Sequence, residues 1–132
     1  MPGFVLDSYA LIVYFRDEAG ADKIESLQRE AAAGNEPLHM TEVNYAEVKY
    51  IIIRKNGLPA WNSAAASLIS LPIAFHAVTR ELAEVAGDFK SRYRISLADA
   101  FAAALALILK AELVSGDSEF KQLRREVKVS WL

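Results

Sequence analysis

Asp7, Glu47, Asp99 and Asp117 are the residues best placed to do chemistry in this sequence. Asp7 directly follows the apolar run Phe4-Val5-Leu6. Asp117 comes two residues after a second such run, in Val114-Ser115-Gly116-Asp117. Asp99 stands three residues after Ser96, in the first turn of an Ala-rich helical segment. Glu47 falls between Val43 and Ile51 on the apolar stripe of a helix. An acid on an inward face requires a cation or a hydrogen-bond donor. Several acids converging on one sheet edge, with no Lys or Arg beside them in sequence, accumulate like-charge repulsion. A divalent cation relieves it, and an all-oxygen donor set suits Mg²⁺ or Mn²⁺. Such ions activate water and stabilise the attacking and leaving oxygens in phosphodiester cleavage.

Each acid also has a plain structural reading. Asp7 and Asp117 can cap the helices that follow them. Asp99 sits at capping-box spacing from Ser96, with Asp in place of the usual Glu or Gln. Glu47 can pair with Lys or Arg or reach solvent. Taken singly, these readings compete well. The four together favour a shared cation.

The elements that must position these acids alternate in type. Strands are expected at Phe4–Leu6, Pro37–Met40, Ile73–Val78, Glu112–Ser115 and Val127–Trp131. Helices are expected over Ser8–Phe15, Asp17–Ala33, Thr41 to about Lys55, Pro59–Leu71, Thr79 to about Tyr93 and Ser96 to about Lys110. A short helix is expected over Asp117–Leu123, while Gly34-Asn35 and Asn56-Gly57 act as stops. Apolar strands separated by helices imply a mainly parallel five-stranded sheet, covered on both faces: a three-layer α/β/α sandwich. Ligands of such sheets bind at the carboxyl ends of the strands. Asp7 and Asp117 are expected there.

The 132 residues fit a single domain, residues 1–132. Apolar residues make up 53% of the chain, enough for a real core. With a net charge of −2 the protein is not a bulk polycation, so nucleic acid would need a local basic patch or a metal. The lack of cysteine excludes disulfides and thiolate metal sites and suits a reducing cytosol. No signal peptide is read at the N-terminus, and the Ala100–Leu109 run is too short for a bilayer, so a cytoplasmic protein is expected.

At this point the motifs resemble a family. Phe4-Val5-Leu6-Asp7-Ser8-Tyr9-Ala10-Leu11-Ile12, Thr41-Glu42-Val43-Asn44-Tyr45-Ala46-Glu47-Val48, Ile95-Ser96-Leu97-Ala98-Asp99-Ala100 and Leu113-Val114-Ser115-Gly116-Asp117-Ser118-Glu119-Phe120 are similar, in order, to the four acidic motifs of PIN-domain proteins. Within that family they resemble VapC-like toxins of toxin–antitoxin pairs. Two positions depart from the pattern: Ser115 stands where Thr is commoner, and Glu119 where a second Asp is often found. The resemblance implies a Mg²⁺- or Mn²⁺-dependent endoribonuclease. Asp7, Glu47, Asp99 and Asp117 would hold the metal, and a metal-activated water would attack the RNA phosphodiester. Ser8, Ser115 and Glu119 would be accessory. The resemblance also implies a homodimer and a VapB-like antitoxin that blocks the site. Two other functions compete: a housekeeping PIN-type RNA-processing nuclease, and a non-catalytic α/β binding module.

Lys90, Arg92 and Arg94 cluster around Tyr93, a pattern that suits single-stranded RNA as well as a bland charged surface. Lys49, Arg54 and Lys55 read more simply as a solvated helix face. His39 and His76 lack metal-ligand spacing and read as hydrogen-bonded structural residues. Trp61 and Trp131 read as packing residues.

Overall fold

A computed structural model describes residues 3–34 and 36–132. Pro2 and Asn35, expected to bound the first strand and end the second helix, lie outside these. The elements run β1 (Phe4–Leu6), α1 (Ser8–Phe15), α2 (Ala21–Gly34), β2 (Leu38–Thr41), α3 (Glu42–Asn56), α4 (Leu58–Leu68), β3 (Ile73–His76), α5 (Arg80–Arg92), α6 (Leu97–Leu109), β4 (Glu112–Ser115), a 3-10 helix (Ser118–Leu123) and β5 (Val129–Trp131).

The five strands form one parallel sheet in the order β3-β2-β1-β4-β5. β1 is central, with Val5 opposite His39 of β2 on one side and Leu113 of β4 on the other. A central parallel strand must be apolar on both faces. Val5 and Leu6 accordingly lie fully buried on opposite sides of the sheet, in two separate cores. The Val5 core takes α5, α6 and the 3-10 helix. The Leu6 core takes α1 to α4. The three-layer α/β/α sandwich expected from the alternation is the fold observed.

Element ends differ from expectation for local reasons. α2 begins at Ala21 rather than Asp17. Five residues, 16–20, separate it from α1 because α1 closes in a Schellman turn, with Glu18 N–H on the Val13 carbonyl at 3.0 Å and Asp17 N–H on the Tyr14 carbonyl at 3.3 Å. Asp17 fills the left-handed position at φ 50° where glycine is usual. α4 stops at Leu68, short of Leu71, and β3 stops at His76, short of Val78. β2 runs Leu38–Thr41 rather than Pro37–Met40, consistent with proline's missing N–H. β5 begins at Val129 rather than Val127. The Ala100–Leu109 run is a buried helix, as expected, and no helix among the described residues is long and apolar enough to cross a membrane.

His39 Nδ1 and His76 Nε2 lie 2.9 Å apart across β2 and β3, a structural hydrogen bond. Trp61 is buried edge-on to Tyr45, as a packing residue should be. Trp131, by contrast, is 40% exposed on the edge strand.

Candidate active site

The strand order reverses direction between β1 and β4, and the residues leaving both strands meet there. Asp7 is the first residue after β1. Its extended backbone (φ −85°, ψ 179°) lets Oδ1 accept the Ala10 N–H at 2.8 Å, which starts α1. The side chain is only 1% exposed. Oδ2 has no hydrogen-bond partner of normal geometry, although the Ser115 hydroxyl is near enough to favour the charged form. Burial pushes the carboxyl up to about 8, with the charges of Asp99 and Asp117 adding in the same direction.

Asp117 caps the 3-10 helix, its Oδ1 accepting the Glu119 N–H at 2.9 Å. Its own N–H donates to Ser115 Oγ at 2.9 Å, so the buried Ser115 hydroxyl fixes the turn out of β4. Gly116 lets this turn pass under the Tyr9 ring: a Cβ there would lie 2.5 Å from a Tyr9 ring carbon. Asp99 comes from the first turn of α6, which Ser96 caps by accepting the Asp99 N–H at 3.1 Å. Partial burial pushes Asp99 up to about 7, and Asp117, Glu47 and Glu119 reinforce the rise.

Glu47 projects from α3. With Asp99, Asp117 and Ser8 it lines a cleft of about 330 Å³, also bordered by Arg16 and Lys55. The four sequence-predicted acids therefore come from four separate elements to one place, three on the cleft wall and Asp7 buried. Glu119 stays on the exposed rim, within electrostatic reach of Asp99. Among the described residues, no three acidic or histidine side chains stand in ready-made metal-ligand geometry. Lys90, Arg92 and Arg94 do not line the cleft. Arg92 is instead held at 2.9 Å by Glu126, beside Tyr93. Arg94 shares two backbone bonds with Gln122.

One residue that the sequence reading passed over ties the site together. Asn44 is fully buried on α3. Its Nδ2 donates to Ser8 Oγ at 3.0 Å and to the Ala98 carbonyl at 3.2 Å, while Oδ1 accepts the Thr41 hydroxyl. Asn44 thus fastens together the starts of α1, α3 and α6, which carry Ser8, Glu47 and Asp99. The available signal was a polar residue one turn before Val48 on the inward stripe.

Comparison with known proteins agrees with this architecture. The PIN-domain family model matches residues 4–126. The chain belongs to the PIN-domain family. No curated protein sequence matches it. Similar solved structures include DNA-bound VapBC from Salmonella typhimurium (14% identity, TM-score 0.76, 99% of this chain and 98% of that one). VapBC2 of Rickettsia felis bound to a DNA fragment from the promoter is also similar (14%, 0.75, 97% of each). So is VapC20 of Mycobacterium tuberculosis, a toxin that cleaves the sarcin–ricin loop (19%, 0.71, 92% and 95%). At these identities the likeness is one of fold.

Proposed function

We propose that this protein is a divalent-metal-dependent endoribonuclease and the toxin half of a toxin–antitoxin pair. The observation that carries the reading is Asp7: a buried carboxylate with one unpartnered oxygen, beneath a cleft walled by three further acids. Burying such a group without a counter-charge is costly, and hard cations seek all-oxygen donor sets of this kind. Asp7, Glu47, Asp99 and Asp117 are the residues that would hold Mg²⁺ or Mn²⁺. When bound, such an ion supplies Lewis-acid stabilisation of a phosphodiester under hydrolytic attack. The chain's own residues do the positioning. Oδ1 of Asp7 is committed to the α1 cap, which leaves Oδ2 outside the cap. Ser115 orients the backbone of Asp117, and Asn44 sets the spacing of α1, α3 and α6.

The toxin assignment draws support from the structural neighbours, several of which are VapBC assemblies and one an RNA-cleaving toxin. A VapB-like antitoxin and self-association belong to the same reading. The test is cleavage of a structured RNA with Mg²⁺ or Mn²⁺, with EDTA, and with Asp7→Asn and Asp99→Asn. Metal-dependent cleavage lost in EDTA and in both variants is the expected result. Equal cleavage by wild type and variants would sink the assignment.

A further inference from the structure

The geometry points to Arg16 and Lys55 as the residues that receive the backbone of a single-stranded RNA, and to the adjoining cleft as the site of its flanking base. This inference rests on the nuclease reading and names how that site takes its substrate. An acid-lined cleft repels a polyanion, so approach requires cations at its mouth. Among the described residues, Arg16 and Lys55 are the only Lys or Arg residues lining the acid cleft. Arg16 caps the end of α1 and Lys55 stands in the last turn of α3, helices packed side by side. The Schellman turn at Asp17 fixes where Arg16 begins.

Arg16 also borders a second cleft, of about 520 Å³, lined by Phe15, Asn56, Ser63 and Ser67 among others. Arg16 thus lines both clefts. An aromatic ring, amide and hydroxyl groups and a shared cation are the chemistry that holds an unstacked base and its phosphate. The present partner of Arg16 is Glu18, at 3.3 Å in a pair whose side chains are 31% and 45% exposed. Such a pair contributes little, so exchange of Glu18 for a phosphate is easy. Glu18 lines the acid cleft and competes with the incoming strand for Arg16.

The test is fluorescence anisotropy of a labelled single-stranded RNA oligonucleotide on the Asp99→Asn chain in Mg²⁺ buffer, across a salt series. Arg16→Ala and Lys55→Ala are each expected to weaken binding about three- to tenfold. Each should also lower the slope of log affinity against log salt by roughly 0.7. Phe15→Leu is expected to weaken binding at least about fivefold with the slope unchanged. Glu18→Gln should tighten binding about twofold, an effect that no purely structural role of the Arg16 pair produces. Arg16→Lys should restore most of the slope. Wild-type slope and affinity in Arg16→Ala and Lys55→Ala, with RNA still bound, would overturn this inference alone. So would losses confined to Lys90→Ala and Arg94→Ala. No RNA binding by the Asp99→Asn chain at any salt, together with no cleavage by wild type in Mg²⁺ or Mn²⁺, would overturn the nuclease reading as well.

Discussion

Asp7 does two jobs with one carboxylate. One oxygen starts α1, and the other is buried without a hydrogen-bond partner of normal geometry. The two explanations available from sequence, helix cap and cation ligand, are therefore compatible. The folded chain binds the Asp7 proton far more tightly than an unfolded chain does, since burial moves the group from 3.8 to about 8. Folded protein then holds more protons than unfolded protein across that window. Its metal-free stability must fall as pH rises from about 4 to 8. Asn in place of Asp7 keeps the cap acceptor and removes the charge. In EDTA, Asp7→Asn should melt above wild type at pH 8, with the gap closing toward pH 4. A thermal melt series in pH checks this, and a constant gap would mean that Asp7 is not held protonated. Asn44 makes a second prediction. Asn44→Ala leaves the Thr41 hydroxyl and the Ala98 carbonyl short of a buried partner, and should cost about 2–3 kcal/mol in denaturant unfolding. Asp7 stood out because an acid after an apolar run is conspicuous. Asn44 did not, because one polar residue on an inward stripe is a weak signal until its three partners are in place.

Helix α6 shows how packing selects sequence. It lies between the sheet and α5, with Ala100, Ala102, Ala103 and Ala104 fully buried. Small side chains allow this close approach, and the first turn of α6 brings Asp99 to the cleft as a result. Ala103→Leu should overpack this layer by about 1–3 kcal/mol and displace Asp99, seen as lower stability together with lower cleavage. The other end of α6 closes in a Schellman turn, with Lys110 left-handed at φ 55°. Lys110→Gly relieves that strain and should raise stability by about 1 kcal/mol in the same assay. Element types were legible throughout because apolar runs and capping residues mark them plainly. Ends were less so. The delayed start of α2 depended on an aspartate accepting a conformation normally given to glycine.

The parallel sheet converts sequence order into an active site, since β1 and β4 are adjacent and deliver Asp7 and Asp117 side by side. If those acids share a cation, its binding is linked to folding of the whole chain. Mg²⁺ or Mn²⁺ should then raise the melting temperature in a concentration-dependent way, and Asp7→Asn should largely abolish the rise. The convergence of the acids was readable from strand ends and the carboxyl-edge rule. The cations at the cleft were not. Lys90, Arg92 and Arg94 attract attention as a dense run, yet Arg92 is neutralised by Glu126 and none of the three borders the acids. Lys55, read with Lys49 and Arg54 as a solvated helix face, borders the cleft instead, and it reaches the same cleft as Arg16 only because α1 and α3 pack together.

The pairing of β1 with β4 also bears on how such a site comes into being. A ribosome releases β1 long before the strand's second neighbour, β4. Until then Asp7 has no Asp117 beside it, and the central strand is paired along one edge only. Chains that stop before β4 are for this reason unable to bring Asp117 beside Asp7, so the acid cluster forms only after β4 and the residues that follow it have been made.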